Sequence, residues 1–395
     1  MKIYFITSKL NFVTAGSSIG EFDLMMRGLQ KLSNDVTAIT VFSYKNNIPQ
    51  PLPYRVIEKN VMARGLLGIQ VGLYKILKEF EGQADFFHVD GHAFLYAAGL
   101  YRWLDGQTPI SAYFNRELIC WPESEGGYSA KKTFWGKLKK FLRWYIEKYI
   151  GMLLANKIDL MLFTNPYLKK SYENFGLKTS GRSIIFGDPV DYQSLMTKND
   201  LTENSYIKRN KTNDRINLFY SSRMAPGKGF ELLIEAFAKI KNKEKFNLLL
   251  GGTGPLEAEL KQMVKDLDLE NYVQLPGWVP REKFFESLKE ADIFIQPHWR
   301  TDMTSISLIE AMALGIPSIL PGGGGLEWDA GRSALYFKDN DANDLAQKIK
   351  ELGNDSELRL KLSRQCYIRL AEDEMNYEKQ ITGWHQTMQK IKDAK

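Results

Sequence analysis

Apolar runs of a few residues alternate with segments of helical periodicity along the first half of the chain. KIYFIT at residues 2–7 predicts a buried strand, SKLNFVTAGSSIG at 8–20 a glycine- and serine-rich loop, and EFDLMMRGLQKLS at 21–33 a helix. Further β-rich runs are DVTAITVFS, DFFHVDG, PISAYFN, IDLMLFTN and RSIIFGD, with helical patterns such as AFLYAAGLYRWL and PYLKKSYENFG between them. This alternation predicts an α/β fold with a doubly wound parallel sheet.

A polar stretch between Pro189 and Arg215 interrupts the pattern. The alternation then restarts with INLFYSS, GFELLIEAFAKI, FNLLLGG, EAELKQMVKDLDL, YVQLPGW, REKFFESLKEA, DIFIQP, SISLIEAMALG and PSILPG. We therefore predict two α/β domains, residues 1–190 and 191–375. The tail 376–395 carries apolar and aromatic positions that suit one more helix.

Composition narrows the class of protein. The 395 residues are 44% apolar, which suits a soluble protein with two cores, and no apolar stretch has the length of a signal peptide or a membrane span. The cytoplasm is the expected location. The two cysteines, Cys120 and Cys366, have no metal or redox spacing and predict reduced, buried thiols.

The formal charge of +6 comes from one segment. Residues 131–157 hold eight Lys or Arg against the single Glu147, so the rest of the chain is nearly neutral and nucleic-acid binding is disfavoured. The cations alternate with aromatic residues, a composition that suits the surface of an anionic membrane. A solvated helix whose apolar residues face its own domain is the equal alternative.

Glycine-rich loops follow several predicted strands of the second half. Arg223 and Lys228 lie in a loop that opens a helix, where free backbone amides and two cations favour an anion such as a diphosphate. Gly252 lies in a second such loop and would let a ligand approach the backbone. Solvated loop charges and simple turns are the alternatives, but the combination describes where open α/β sheets bind ligands.

Two acids flank the start of another helix. Asp302 and Glu310 would be about 12 Å apart along a continuous helix and rotated by roughly 80°, too far apart to share a metal ion or a proton. They can instead hold two ends of an extended ligand, with amides near Thr304 and Ser305 facing a negative group between them. The alternatives are that Asp302, Thr304 or Ser305 caps the helix and that Glu310 is a surface acid.

A family resemblance rests on five stretches of the second half. In order and spacing, SSRMAPGKGFELLIEAF, GGTGP, LPGWVPREKFFESLKEADIFIQP, TDMTSISLIEAMALGIP and GGGGLEW resemble the donor-binding half of the GT-B glycosyltransferases of glycosyltransferase family 4. The resemblance is strong over residues 216–345 and weaker before them. It implies two Rossmann-like domains facing a central cleft, with residues 376–395 packing back on the N-terminal domain.

The resemblance also implies roles for residues of the second half. Glu310 would bind the ribose of a donor nucleotide and Asp302 the donor sugar, while Arg223 and Lys228 would neutralise the leaving diphosphate. Amides from Met303 to Ser305 would contact diphosphate and sugar, and backbone near Val279 the base. The family usually has Glu where this chain has Asp302, which leaves the identity of the sugar open.

The N-terminal half carries weaker matches to the family. Gly16, in TAGSS, falls where the family often has Gly-Gly beside a phosphate, and Asn115 falls where it frequently has a catalytic His. DFFHVDGH offers further candidates for contact with sugar or acceptor, and if the reaction inverts configuration the base would come from the acceptor side. These acceptor-side candidates are His88, Asp90, His92 and Glu117, with structural hydrogen bonding the equal alternative for the two His residues.

The implied activity is transfer of a sugar from a UDP- or GDP-sugar to a saccharide or polyprenyl-linked acceptor, with retention, in cell-surface polysaccharide or glycolipid synthesis. Family 4 chemistry implies no metal and no separate cofactor, since the cations and amides stabilise the leaving group. An Asp-x-Asp pattern at Asp339 to Asp341 is interpreted as a helix cap. A nucleotide-sugar epimerase and a catalytically impaired nucleotide-sugar-binding protein are the alternatives, and association with the inner face of a membrane is a further expectation.

Overall fold

A computed structural model of the protein describes residues 1–12, 18–62, 65–91, 94–115, 134–207, 215–298 and 304–394, without the side chains of 18, 65, 66, 134–137, 139 and 140. The strands are Lys2–Thr7 (β1), Asp35–Thr40 (β2), Arg55–Glu58 (β3), Phe86–Asp90 (β4), Ile110–Phe114 (β5), Leu160–Phe163 (β6), Ser183–Ile185 (β7), Ile216–Ser221 (β8), Phe246–Gly251 (β9), Val273–Gly277 (β10), Ile293–Ile295 (β11), Ser318–Pro321 (β12) and Ala334–Phe337 (β13). The helices are Ser18–Lys31 (α1), Gly65–Glu79 (α2), Leu95–Trp103 (α3), Phe134–Ile146 (α4), Met152–Ala155 (α5), Pro166–Phe175 (α6), Tyr192–Lys198 (α7), Phe230–Ala238 (α8), Glu257–Asp266 (α9), Arg281–Glu290 (α10), Ile306–Ala313 (α11), Gly325–Ala330 (α12), Ala342–Asn354 (α13), Ser356–Ala371 (α14) and Tyr377–Asp393 (α15).

The chain divides into two compact units. The first contains Met1–Val190 together with Asn376–Lys395, and the second contains Asp191–Met375. Each unit has one parallel sheet, with strand order β3-β2-β1-β4-β5-β6-β7 in the first and β10-β9-β8-β11-β12-β13 in the second, within the described residues. The predicted α/β class is confirmed.

The inner strands of both sheets are largely buried on both faces because helices cover each side. All five residues of β5 (ISAYF) and all four of β6 (LMLF) are buried, so these strands have continuous apolar runs rather than alternating ones. Helix ends follow local chemistry: Asn165 accepts a hydrogen bond from the Leu168 amide to begin α6, and Gly176 in the left-handed conformation ends it.

Helix α15 lies in the core of the first unit, as predicted for the C-terminal helix. Trp384 is fully buried and makes edge contacts with Phe5 of β1 and with Phe186. The Tyr377 hydroxyl donates to the Leu24 carbonyl of α1 at 2.6 Å. Helix α15, which is seventeen residues long, therefore packs in the same hydrophobic layer as the first strand of the chain.

Several elements were not singled out from the sequence, notably β3, α2, β13 and α14. Strand β3 (RVIE) is an edge strand with two exposed positions, so it lacks the apolar run by which its buried neighbours were recognised. Helix α2 (GLLGIQVGLYKILKE) is interrupted by glycines that lower helix propensity. Gly72 is required there, because a Cβ would lie 2.3 Å from a methyl group of Val61.

Candidate functional site

The strand order of the second unit reverses between β8 and β11, the first and fourth strands of its sheet. The loops that follow two such strands diverge to opposite sides of the sheet and leave a crevice at its carboxyl edge, where open α/β sheets bind their ligands. Arg223 and Lys228 lie in the loop after β8, and Gln296 to His298 follow β11. The cation loop predicted from sequence therefore lies at the position that the topology favours for a ligand.

Backbone contact holds the two loops together. Gly229 has a φ of +72°, and a Cβ at this position would lie 2.0 Å from the carbonyl oxygen of Pro297. The preceding residue, Lys228, is anchored through its carbonyl, which accepts a hydrogen bond from the buried Tyr220 hydroxyl at 2.8 Å. The backbone of Lys228 is consequently held in place, and its ammonium group extends from a fixed position.

His298 is a site residue that sequence reasoning missed. Its Nε2 lies 3.4 Å from the Lys228 Nζ, and the residue is 2% exposed. A neutral imidazole nitrogen can accept a hydrogen bond from the ammonium and hold it in one direction. The signal was its place directly after a buried strand at the switch point, in DIFIQPHW, where a polar residue is expected to face the ligand crevice.

Arg223 and Gly252 occupy the predicted loops but differ in what they offer. The Arg223 side chain is exposed after β8. Gly252 has a φ of +130°, a Cβ there would lie 1.9 Å from the Ser222 carbonyl oxygen, and its amide already donates to Gly277 at 2.7 Å. The neighbouring loop therefore accounts for glycine at this position, and the predicted contact of Gly252 with the donor stays a prediction.

Glu310 is buried at 2% exposure in α11 rather than lying on the surface. Its two carboxylate oxygens accept from both terminal nitrogens of Arg281, the first residue of α10, with Nη1 to Oε2 at 3.0 Å. Burial raises the pKa of Glu310, and the facing guanidinium opposes that rise. The surface-acid interpretation of Glu310 is wrong, because its side chain is buried and paired with Arg281.

Ser305 caps α11, and its own amide is engaged. Its Oγ accepts from the Leu308 amide at 3.4 Å, while its backbone N–H donates to Oδ2 of the fully buried Asp329 at 3.1 Å. The capping alternative is confirmed for Ser305, and the prediction that its amide faces a ligand is contradicted here because a carboxylate already occupies it. Thr304 is half-buried immediately before the cap.

Val279 lies in the loop between β10 and α10. Val279 is half-buried and packs closely on Gly251. A Cβ added to Gly251 would lie 2.7 Å from the Cγ2 of Val279. Arg281 follows two residues later and reaches Glu310. The loop predicted to meet the base is therefore tied to the carboxylate predicted to meet the ribose.

In the first unit, the structure contradicts the role predicted for His88. The residue is fully buried in β4, its ring is 4.8 Å from Phe5 and 4.7 Å from Trp384, and its Nδ1 lies 2.8 Å from the Ser111 hydroxyl. Burial lowers the pKa of His88 to about 3, so the ring is neutral at physiological pH. The structural alternative holds because α15 covers this face of the sheet.

Asp90 and Asn115 do lie at the carboxyl ends of neighbouring strands. Asp90 ends β4 next to the switch point of the first sheet and accepts from the Thr7 hydroxyl at 3.0 Å. Asn115 follows β5, and its Oδ1 is buried without a hydrogen-bond partner in the described part of the chain. Both positions suit contact with a ligand at this edge, and their roles stay predictions.

Other predicted residues lie outside the described part of the chain: Gly16, His92, Glu117, Asp302 and Met303. Within the described part, no group of three or more His, Cys, Asp or Glu side chains is placed to hold a metal ion. The helix-cap interpretation of Asp341 is confirmed, since its Oδ1 accepts from the amides of Asn343 and Asp344.

An exposed apolar face runs along α4 and α5 and the π-helical turn that joins them, Glu147–Gly151. Seven large apolar or aromatic side chains, each 49–59% exposed, recur four residues apart in two rows: Phe141, Tyr145, Tyr149 and Leu153, then Leu142, Ile146 and Ile150. Trp144 on the inner side packs on Phe175 of α6. The alternative in which the apolar residues face their own domain is wrong for these seven.

Comparison with known proteins agrees with the topology. Residues 202–369 match the family model of the glycosyl transferases group 1. The C-terminal unit is therefore similar to the group 1 glycosyl transferases over most of its length. This match covers β8 to β13. It therefore includes the loops that hold Lys228 and His298 and the helices that hold Arg281 and Glu310.

Curated relatives match this chain over part of their own length. The amylovoran biosynthesis glycosyltransferase AmsK of Erwinia amylovora is 35% identical over 143 residues, 34% of this chain and 35% of that protein. Mannosylfructose-phosphate synthase of Agrobacterium fabrum is 29% identical over 227 residues, 54% of this chain and 49% of that protein. The chain thus spans about a third to a half of the length of these relatives.

Solved structures resemble the whole chain and establish the GT-B glycosyltransferase fold. Anabaena Alr3699/HepE, determined in complex with UDP, aligns over 99% of this chain and 100% of its own with a TM-score of 0.69 and 14% identity. Sucrose-phosphate synthase of Thermosynechococcus elongatus aligns over 100% of both chains with a TM-score of 0.72 and 18% identity. At these identities the likeness shows the fold alone.

Proposed function

We propose that the protein is a hexosyltransferase that moves a sugar from a UDP- or GDP-sugar to a saccharide or polyprenyl-linked acceptor, with retention, in cell-surface polysaccharide or glycolipid synthesis. The observation that carries the proposal is the carboxyl edge of the second sheet. There the Lys228 ammonium beside His298 and the Glu310 carboxylate beside Arg281 belong to one group 1 unit. The name of AmsK, a glycosyltransferase of amylovoran biosynthesis, supports the process.

The chemistry follows from charge. Breaking the bond between sugar and diphosphate places negative charge on the leaving phosphate, and fixed cations that meet this charge lower the barrier. Lys228 and Arg223 supply the cations from the loop after β8, and the buried Glu310 accepts hydrogen bonds from hydroxyls of the nucleotide. We propose that these groups suffice without a metal ion or a separate cofactor.

The nucleotide is tested first by thermal shift with UDP-, GDP- and ADP-sugars. A ligand present at about 100 times its dissociation constant stabilises the folded state by roughly 2.7 kcal/mol, enough to raise Tm clearly. We expect one UDP- or GDP-sugar to do so and to release its nucleoside diphosphate with an acceptor extract. NMR of the product then reports whether the anomeric configuration is retained. Binding without transfer would favour the impaired-binder alternative, and no shift with any nucleotide-sugar would contradict the proposal.

We also propose that the exposed apolar face of residues 141–153 lies on an anionic membrane surface. No described helix is both long and apolar enough to cross a bilayer. The two rows of side chains instead lie on one side of the segment, and the seven excess positive charges of residues 131–157 complement acidic lipid headgroups. Such a surface is where a polyprenyl-linked acceptor is found.

Membrane binding is tested with vesicles of phosphatidylglycerol and phosphatidylcholine against phosphatidylcholine alone. Replacing Lys137, Lys139 and Lys140 by Glu is expected to weaken binding by roughly 100-fold, since each cation near the surface contributes about 1 kcal/mol. Arg143 is kept because it pairs with the buried Glu147 at 3.2 Å.

Ile146→Ser with Ile150→Ser tests the apolar contribution to membrane binding. Ile368→Ser, an equally exposed position of the second unit, is the matched control. Binding that is indifferent to the charges and to both isoleucines would remove the membrane from the proposal.

A further inference from the structure

The ion pair between Arg281 and Glu310 joins two helices whose first turns lie at the carboxyl edge of the second sheet. Arg281 is the first residue of α10, and Glu310 is the fifth residue of α11. Both terminal guanidinium nitrogens meet both carboxylate oxygens, the planar two-point arrangement in which arginine binds carboxylates most strongly. The pair therefore fixes the plane of the carboxylate as well as its position.

The two partners differ sharply in exposure. The Glu310 side chain is 3% exposed, whereas the Arg281 side chain is 61% exposed. A pair between a buried acid and an open cation is poorly explained by stability, because removing the carboxylate from water costs free energy that the exposed partner only partly returns. A buried acid kept beside an open cation at this edge of the sheet indicates a ligand that needs it.

Aromatic rings hold the guanidinium in place without the carboxylate. The Arg281 guanidinium carbon lies 4.5 Å from the ring centre of Phe285 and 5.7 Å from that of Phe284. Phe284 is buried against Phe219 of β8, so this support belongs to the core of the unit. The arginine is therefore directed toward Glu310 by the fold and is not a solvated side chain that meets it by chance.

We infer that Arg281 is a positioning residue for the donor nucleotide, which orients the Glu310 carboxylate so that it accepts the vicinal hydroxyls of the ribose. A carboxylate offers about four lone-pair positions, and the guanidinium uses one on each oxygen. One position on each oxygen is left for a vicinal diol. The inference rests on the proposed nucleotide-sugar transfer and names the chain's own residue that prepares its ribose contact.

Other titratable groups around α11 are placed elsewhere along the helix. Asp329 of α12 accepts from the Ser305 amide at the start of α11, and Cys366 and Tyr367 of α14 contact the segment after it, at Ile316 and Gly315. Helix α7 also packs on α11. Among the described residues, Arg281 is the charged group that acts on the pKa of Glu310.

The experiment measures the Kd of UDP, GDP and their 2′-deoxy forms between pH 6 and 8, for the natural protein and for Arg281→Met and Arg281→Lys. Without the guanidinium the pKa of Glu310 rises further. Each unit of that rise increases the ratio of protonated to ionised Glu310 about tenfold at a given pH. We expect Arg281→Met to bind about tenfold more weakly at pH 6 than at pH 8. The natural protein should change less, and Arg281→Lys should lie between the two.

The ratio of the Kd of the 2′-deoxy nucleotide to that of the ribonucleotide tests the inference directly, because a merely structural role of Arg281 would leave this ratio unchanged. The natural protein should prefer the ribonucleotide over its 2′-deoxy form, and Arg281→Met should lose much of that preference. Equal or tighter binding of the ribonucleotide by Arg281→Met would overturn the inference, because the guanidinium would then compete with the ribose. If the natural protein binds neither UDP nor GDP, the proposed function falls and this inference with it.

Discussion

Replacing Lys228 by Met is expected to lower kcat for sugar transfer by roughly 10²–10³-fold, the usual effect of removing one preorganised group that stabilises developing negative charge. The lysine stands 3.4 Å from His298 at the switch point of the second sheet, on a loop held by the contact of Gly229 with Pro297. Under the proposed function its charge would therefore meet the leaving diphosphate without a reorganisation at the moment of bond breaking. Steady-state kinetics with the donor identified by thermal shift measure the effect.

The matched control for this variant is Lys241→Met, an exposed lysine beyond the far end of α8. Its kcat should equal that of the natural protein. Lys228→Arg retains the charge and should recover part of the lost rate, whereas a purely steric role would not be recovered. A kcat for Lys228→Met within threefold of the natural value would show that this cation does not act on the leaving group.

Replacing Glu310 by Ala is expected to weaken nucleotide binding by about 1.5–3 kcal/mol, the loss of hydrogen bonds from neutral hydroxyls to a charged acceptor. The carboxylate is buried and held in two directions by Arg281, so no rotation is needed before it accepts the ribose hydroxyls. Calorimetry with UDP and GDP measures the loss. Glu357→Ala, an exposed acid of α14 in the same unit, is the control and should bind nucleotide as the natural protein does. Unchanged affinity in Glu310→Ala would remove Glu310 from the ribose.

The Tm of Glu310 variants distinguishes a loss of nucleotide binding from a loss of folding. Because burial raises the pKa of Glu310 above its value in the unfolded chain, ionisation of this acid favours unfolding as pH rises from the unfolded pKa through the folded one. Glu310→Gln cannot ionise and should therefore have a Tm at pH 7 at least equal to that of the natural protein. The difference should shrink as the pH falls below 4.5. A large fall in Tm at neutral pH would mean that the carboxylate is needed for folding.

The fold was predictable where a strand is buried on both faces, because burial there requires a short run of apolar residues. Strands such as β1 and β5 lie between two layers of helices and are mostly apolar and buried, so they stand out against polar loops. The edge strand β3 has no such signal, because its partners cover only part of it. Its place became visible only through its pairing with β2.

The candidate site was predictable in part. The Gly-flanked Lys228 and the acid Glu310 carry the family pattern in one stretch of chain each, and local spacing was enough to single them out. Their partners were not found: His298 lies in a loop 70 residues from Lys228, and Arg281 begins a helix 29 residues from Glu310. Pairing of this kind depends on strand order, to which hydrophobic periodicity is insensitive.

Local patterns settled the kind of elements, the two-unit organisation and the positions of the chemically active loops, because periodicity, turn residues and charge act between near neighbours in the chain. Which of the polar residues became a site depended on long-range packing. His88 looked like an active-site residue in DFFHVDGH, yet α15, nearly 300 residues later, covers it and makes it a core residue. Spacing in SISLIEAMALG singled out Glu310 as a ligand contact with a surface acid as the alternative, yet only the fold shows that it is buried and that Arg281 of α10 is its cation. Desolvation and pairing act through space, so only the folded chain assigns them.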